Sequence, residues 1–280
     1  MNHKDLRGTL REQGVVKTRI LSADEVAAIL SDYRSKFSVE SQSGFYWSMY
    51  NKNKSVAAEA NDYISEKLLP KLSPYFGNLQ SLLSSFFVKP PGGDFIDPHQ
   101  DWTFIDGEPE HNSFTCWIPL IDTDYNSGTL GCVVGSHRLT NHVRASPSPA
   151  FPKFTINQRQ LLIENTTFFE LKAGEAVIFD HRIIHASSPS KLNAPRPAMG
   201  ICFAPAECTM IHYSRNPKTA DTVFKYKVDR NFYNYYNDTI LAELFSKGEK
   251  IPDYSIIGEA VFRAVTDAEL NGLITEQVNR

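Results

Sequence analysis

The chain has 280 residues, of which 41% are hydrophobic, so it is long enough to bury a substantial core as one large domain. Its formal net charge is −3, so the composition does not indicate the basic surface of a nucleic-acid-binding protein. No apolar run approaches the roughly 20 residues that span a membrane, and the polar N-terminus predicts no secretory signal. The four cysteines are scattered, and we expect buried free thiols, as in a cytoplasmic protein.

The first 83 residues are predicted to be mainly helical. Ser22 followed three residues later by Glu25 is the pattern of a capping box, and it predicts that a helix begins there. A second helix is expected over 55–69, ended by Pro70, and a short third helix over 79–83.

The sequence pattern changes near residue 84, where short runs of Phe, Val, Ile and Thr begin to alternate with turn residues. The eight predicted strands cover 84–89, 96–104, 113–120, 129–134, 167–171, 176–179, 185–188 and 198–205. The fold class is therefore predicted to be mainly β with flanking helices, as a double-stranded β-helix (a cupin-like jelly roll). We expect a single domain over 1–280, with a helical N-terminal part over 1–83, a β-helix core over 84–205 and a C-terminal helical extension over 206–280. The long segment 144–163 is interpreted as an insertion or a mobile lid.

Two histidines and one aspartate are the candidate metal ligands. His99 and Asp101 have i, i+2 spacing, so on a strand both side chains would point to one face. With His185 from a distant strand they complete two imidazoles and one carboxylate, the set that holds Fe(II) and leaves the opposite positions open. From the composition, about one His-x-acid fragment is expected by chance. The chain has two, His99-Gln100-Asp101 and His3-Lys4-Asp5, so the pattern alone does not identify a metal site. The context favours His99, because a strand-like run and a Pro-Pro-Gly-Gly turn at 90–93 precede it.

Arg196 follows His185 by eleven residues, and this spacing between a histidine and an arginine occurs once in the chain. A guanidinium binds a carboxylate through two hydrogen bonds and stays charged, so Arg196 is a candidate anchor for a dicarboxylic cosubstrate. His181 is a rival ligand, since His181 and His185 have HxxxH spacing. That motif needs a helix with a glutamate after the first histidine, and Arg182 stands there.

Six motifs, two of which contain the candidate metal ligands, occur in an order and spacing that resemble the phytanoyl-CoA dioxygenase family of Fe(II)/2-oxoglutarate oxygenases. They are Pro-His-Gln-Asp-Trp at 98–102, Cys-Trp-Ile-Pro-Leu-Ile-Asp at 116–122, Ser-Gly-Thr-Leu at 127–130, Gly-Ser-His-Arg at 135–138, Gly-Glu-Ala-Val-Ile-Phe-Asp at 174–180 and His-Ala-Ser-Ser at 185–188. The resemblance covers roughly residues 10–205, and the last 75 residues carry no matching motif.

The resemblance implies a double-stranded β-helix that uses Fe(II), 2-oxoglutarate and O2 as cofactor and cosubstrates. By position, His99, Asp101 and His185 match the iron ligands, and Arg196 matches the arginine that pairs with the distal carboxylate of 2-oxoglutarate. Cosubstrate-pocket positions are also matched, at Gln100, Trp117 and Ser187. Trp102 and Phe104 are candidate substrate contacts beside the iron, and Trp102 is the better candidate because it is adjacent to Asp101.

The expected function is oxidation, foremost hydroxylation, of a small metabolite with conversion of 2-oxoglutarate to succinate and CO2. The substrate class stays open between a natural-product intermediate and an acyl thioester, and neither a nucleic acid nor a membrane is an expected partner. Basic residues that could bind a CoA thioester are present but not clustered, at Lys153, Arg159, Lys225 and Lys227. Two alternatives are a jelly-roll metalloprotein that works without 2-oxoglutarate and a non-catalytic binding module. Arg196 weighs against the first and the complete ligand set against the second.

Overall fold

The computed structural model describes residues 3–38, 44–108, 111–139, 142–147, 154–219 and 221–278. The helices are α1 (His3–Gln13), α2 (Ala23–Asp32), α3 (Lys54–Phe76), α4 (Ile156–Glu164), α5 (Phe232–Tyr235), α6 (Asp238–Lys247) and α7 (Asp267–Val278). The strands are β1 (Val15–Arg19), β2 (Tyr46–Trp47), β3 (Leu79–Lys89), β4 (Ile96–His99), β5 (Phe114–Pro119), β6 (Leu130–Cys132), β7 (Thr167–Phe168), β8 (Glu175–Asp180), β9 (His185–Ser187), β10 (Arg196–Pro205), β11 (Ile211–Arg215), β12 (Thr222–Lys227) and β13 (Ile256–Val261). None of the helices within these ranges is long and apolar enough to cross a membrane.

Two antiparallel sheets form the predicted double-stranded β-helix. The larger sheet has the order β1-β8-β5-β10-β3-β2, and the smaller has the order β4-β9-β6-β7. Strands that are distant in sequence become neighbours in this way, which brings β4 beside β9. The jelly-roll prediction is confirmed.

The larger sheet buries both of its faces. On β10, Met199, Ile201 and Phe203 pack with the apolar side of α3, whereas Ala198 belongs to the core between the two sheets. This alternation follows from the two-residue period of a strand. The odd and even positions of β10 therefore face different environments, and Arg196 shares the inner side with Ala198.

Helix α2 begins as predicted, since the Ser22 hydroxyl accepts from the backbone N–H of Glu25 and the Glu25 carboxylate accepts from the backbone N–H of Ser22. Helix α3 does not end at Pro70, as predicted, but continues through Pro70 and Pro74 to Phe76. A proline inside a helix costs about 3 kcal/mol. Burial of a whole apolar side of α3, including Leu68 and Leu72, offsets that cost.

Two further expectations about secondary structure were wrong. Residues 79–83 are not a helix but the start of β3, because they pair with the end of β10. The extension over 206–280 is not purely helical, since β11, β12 and β13 form a third sheet there. In the segment 144–163, residues 144–146 are buried, and α4 begins at Ile156 behind a capping box from Thr155. Its role as an insertion or a mobile lid stays a prediction. Residues 148–153 of that segment lie outside the described ranges.

Candidate active site

The candidate iron ligands come together where β4 lies against β9. His99 is the last residue of β4 and pairs in register with His185, the first residue of β9, so the two imidazole rings lie side by side with centroids 4.3 Å apart. Asp101 Oδ1 lies 3.7 Å from His185 Nε2. One donor atom from each of the three residues lies within 4.8 Å of the other two.

The prediction that His99 and Asp101 lie on one strand was wrong. Residues 100–104 form no strand, so Asp101 does not share a pleat with His99. Instead the chain leaves β4 after His99, and Thr115 of β5 donates a 3.0 Å hydrogen bond to Asp101 Oδ2. This bond orients the carboxylate and leaves Oδ1 facing His185.

Backbone carbonyls orient both imidazoles. Nδ1 of His99 lies 2.7 Å from the carbonyl of Asp97, and Nδ1 of His185 lies 3.3 Å from the carbonyl of Ile183. A hydrogen bond at Nδ1 places the proton there and leaves the Nε2 lone pair for a metal, as is usual for ligating histidines. Burial first, and then the proximity of His99, lowers the pKa of His185 to about 4, so its imidazole is neutral near pH 7. The donor set therefore fits a divalent metal such as Fe(II).

Arg196 lies inside the barrel, and no acidic side chain of the described residues forms a salt bridge with it. It is only 2% exposed, and its guanidinium lies over the ring of Trp117 with 5.1 Å between the Arg196 Cζ and the ring centroid. Nε and Nη1 find no hydrogen-bond partner among the residues that the structure describes, and burial lowers the pKa of Arg196 to about 9. A buried cation with unused donors is costly unless an anion binds it. These donors fit a carboxylate of the cosubstrate.

The remaining predicted cosubstrate residues differ in their surroundings. Trp117 is the surface on which Arg196 rests. The Ser187 hydroxyl lies two residues beyond His185 and donates 3.1 Å to the carbonyl of Gly128. The Gln100 side-chain amide donates to the carbonyl of Arg182, so one of its donors is already used within the protein.

The two predicted substrate contacts are packed rather than open. Trp102 is 7% exposed and Phe104 is 3% exposed. Both rings contact Tyr233 of α5, in the extension that carried no recognisable motif. The extension therefore packs against the segment that follows Asp101.

The rival ligand His181 is also close to Asp101. It is fully buried, its Nδ1 lies 2.6 Å from the Ser113 hydroxyl, and Asp101, His181 and Cys202 form a second group with donor atoms within 4.8 Å of one another. His181 therefore lies beside the candidate site although it is not in the group with His99 and His185.

Sequence reasoning missed Lys89. This residue ends β3, is 1% exposed, and pairs in register with Arg196. Burial, and after it the charge of Arg196, lowers the pKa of Lys89 to about 7. A lysine at the end of the strand-like run 84–89 was the available signal, but its partner across the sheet was not visible in the sequence.

Two antiparallel sheets that enclose two histidines and an aspartate, with a buried arginine on the inner side, define the class of double-stranded β-helix proteins with a candidate single-metal site. The family model "Phytanoyl-CoA dioxygenase (PhyH)" matches residues 10–198. The chain belongs to this family, and the resemblance drawn from its motifs is confirmed.

Individual relatives are more distant. A phytanoyl-CoA dioxygenase domain-containing protein 1 from Danio rerio is 29% identical over 120 residues, 41% of this chain and 41% of that protein. A probable alpha-ketoglutarate-dependent hypophosphite dioxygenase from Stutzerimonas stutzeri is 29% identical over 137 residues, 42% of this chain and 47% of that protein. The chain thus aligns with less than half the length of these curated relatives.

Among solved structures, the non-heme alpha ketoglutarate dependent epimerase SnoN from nogalamycin biosynthesis superposes with a TM-score of 0.55 at 20% identity. The match covers 75% of this chain and 85% of that one. At this identity the likeness shows the shared fold.

Proposed function

We propose that this protein is an Fe(II)- and 2-oxoglutarate-dependent oxygenase that oxidises a small molecule. One observation carries the proposal: two imidazoles and one carboxylate have donor atoms within 4.8 Å of one another. They lie in the same barrel as a buried guanidinium whose Nε and Nη1 have no hydrogen-bond partner among the described residues. Membership of the phytanoyl-CoA dioxygenase family supports the same activity.

In this proposal His99, Asp101 and His185 hold the iron, and Arg196 binds the distal carboxylate of 2-oxoglutarate. The ring of Trp117 packs against the Arg196 guanidinium, and Ser187 and Gln100 complete the cosubstrate pocket. When bound, iron and 2-oxoglutarate supply the oxidising chemistry, with decarboxylation of 2-oxoglutarate to succinate; the protein supplies placement and exclusion of water.

The proposed substrate is a natural-product-like metabolite rather than a CoA thioester. Two of the basic residues available for a thioester are already paired with acids: Arg159 lies 2.7 Å from an Asp97 carboxylate oxygen, and Lys225 pairs with Asp106. The name of the SnoN structure places that enzyme in nogalamycin biosynthesis, which supports the same class here. Hydroxylation is the reaction we propose first, and the name of SnoN, an epimerase, makes stereochemical inversion the second.

The first experiment tests cofactor use without knowledge of the substrate. Anaerobic addition of Fe(II) and then 2-oxoglutarate should produce the visible charge-transfer absorption of a chelated 2-oxo acid. The Asp101→Ala variant should lack that absorption, and the variant at the exposed His111, His111→Ala, should retain it. A wild-type protein that binds neither Fe(II) nor 2-oxoglutarate would contradict the proposal.

The second experiment identifies the substrate. A panel of natural-product intermediates, sugars and acyl-CoA thioesters is assayed for substrate-dependent succinate formation, and the product mass distinguishes hydroxylation from inversion. We expect stimulation by natural-product intermediates. Stimulation by acyl-CoA thioesters alone would overturn the proposed substrate class but keep the cofactor assignment.

A further inference from the structure

The inner side of the larger sheet carries two cations next to each other. Lys89 on β3 and Arg196 on β10 are register partners across adjacent antiparallel strands. Residues opposite each other in an antiparallel pair project to the same face, with Cα atoms about 4.5–5.5 Å apart. Both residues are at least 98% buried, since Lys89 is 1% exposed and Arg196 is 2% exposed.

The Lys89 ammonium is held by backbone carbonyls and by no carboxylate within the described residues. It donates to the carbonyls of Asp94 at 3.0 Å, Ser187 at 3.4 Å and Ser188. An ammonium has three donors, so these contacts use all of them. Its aliphatic stem fills the space in which a Cβ on Gly93 or Gly128 would clash.

The charges that face Lys89 do not neutralise the pair. Arg196 opposes protonation of Lys89 from β10, and the Asp94 carboxylate favours it from the loop after β3. No acidic side chain within the described ranges forms a salt bridge with Lys89 or Arg196. Placing like charges together out of water is unfavourable, and an anion between them would remove that cost.

We propose that Lys89 is a positioning residue of the cosubstrate pocket, where its charge makes the pocket selective for a 2-oxo acid that carries a second, distal carboxylate. This inference rests on the proposed function. Arg196 would donate to the distal carboxylate with Nε and Nη1, which have no partner among the residues that the structure describes. Lys89, whose donors are occupied, acts through its charge. It also acts through its hydrogen bonds to the carbonyls of Ser187 and Ser188, two and three residues after His185.

This arrangement predicts that binding of 2-oxoglutarate is linked to the uptake of a proton. Without an anion, burial and then Arg196 lower the pKa of Lys89 to about 7, so near pH 8 the amine is mostly neutral. A carboxylate beside it favours the charged form and raises the pKa again. Binding of 2-oxoglutarate near pH 8 should therefore take up a proton, and affinity should fall as pH rises above about 7.

Calorimetry on the wild-type protein tests this directly. The protein is loaded with Ni²⁺, which does not start turnover, and 2-oxoglutarate is titrated near pH 8 in buffers of different ionisation enthalpy. We expect uptake of a large fraction of one proton per 2-oxoglutarate bound. Binding without proton uptake would overturn the inference and leave the proposed function standing. Absence of any 2-oxoglutarate binding would overturn both.

Substitutions distinguish an effect of the Lys89 charge from an effect of the Lys89 side chain on the structure. Lys89→Met keeps an unbranched stem and removes the charge. We expect roughly tenfold weaker 2-oxoglutarate binding at pH 7, loss of proton uptake, and unchanged binding of 2-oxobutanoate, which has no distal carboxylate. Lys172→Met is the matched control, because that lysine side chain is 73% exposed. Equal weakening of both 2-oxo acids would make Lys89 a structural residue only and overturn the proposal. Should Lys89→Met fail to fold, the wild-type proton uptake decides.

Discussion

Tyr233 stacks on Trp102, the residue that follows the candidate iron ligand Asp101, with ring centroids 5.5 Å apart and an interplanar angle of 18°. Tyr233 comes from the C-terminal extension, beyond the matched family region, and is fully buried. The extension therefore contributes to the wall beside the site, and its packing supports the segment that carries Asp101.

Loss of this stacking should weaken both the fold and metal binding. Tyr233→Ala removes a fully buried ring, and aromatic truncations of this kind cost about 3–5 kcal/mol. We expect a lower free energy of unfolding and weaker Fe(II) binding, measured by denaturant unfolding and metal titration. Tyr235→Ala is the matched control, because Tyr235 is 57% exposed; it should change neither. Tight metal binding by Tyr233→Ala would show that the extension does not support the site.

Removal of any one candidate ligand should abolish turnover while secondary structure is retained. His99→Ala, Asp101→Ala and His185→Ala each leave two donors for the metal. Iron content after reconstitution and circular dichroism are the measurements, with His111→Ala as the control. A variant with full activity at saturating Fe(II) would remove that residue from the ligand set.

Arg196 should show a trade-off between function and stability. Arg196→Ala and Arg196→Met remove a charge-assisted pair with the cosubstrate, so 2-oxoglutarate affinity should fall roughly tenfold to over a hundredfold. Arg196→Lys should recover part of this loss. In the absence of 2-oxoglutarate, Arg196→Met should unfold at a higher temperature than wild type, because it removes a buried cation with unpaired donors. Unchanged 2-oxoglutarate affinity in Arg196→Ala would refute the anchor role.

His212 should make the protein acid-labile. It is fully buried, lies 2.8 Å from the Ser146 hydroxyl through Nε2, and burial lowers its pKa to about 3. A folded-state pKa below the unfolded value of about 6.5 means that the unfolded chain binds a proton that the folded chain does not. Stability from this histidine is therefore complete above about pH 6.5 and is lost as pH falls towards 3.

The measurement compares wild type with His212→Gln by denaturant unfolding between about pH 7 and 5. Below pH 6.5 the wild-type free energy of unfolding should fall by up to about 1.4 kcal/mol per pH unit more than that of the variant. The exposed His111→Gln variant should keep the wild-type slope. Parallel pH profiles of wild type and His212→Gln would show that His212 does not titrate in this way.

Features that depend on near neighbours along the chain could be predicted from the residues alone. The capping box at Ser22 and Glu25 is one example, because its two bonds close within a single helical turn. The turn at 90–93 is another, where the Gly93 N–H donates 3.0 Å to the Pro90 carbonyl. The alternation of short strand-like runs and turns also predicted the jelly roll. The motifs around His99, Asp101, His185 and Arg196 selected residues that the structure brings into one barrel, although His99 and Asp101 do not share a strand.

Tertiary structure decided what depends on pairing between distant strands. Residues 79–83 became a strand because β10 lies beside them, and local pattern cannot reveal that partner. The same register places Lys89 opposite Arg196, although 107 positions separate them along the chain. Tyr233 contacts Trp102 because the extension packs against the β-helix, although 131 positions separate the two residues. Such contacts depend on the apolar area that whole sheets and helices bury against one another. This area cannot be calculated from a short segment of sequence.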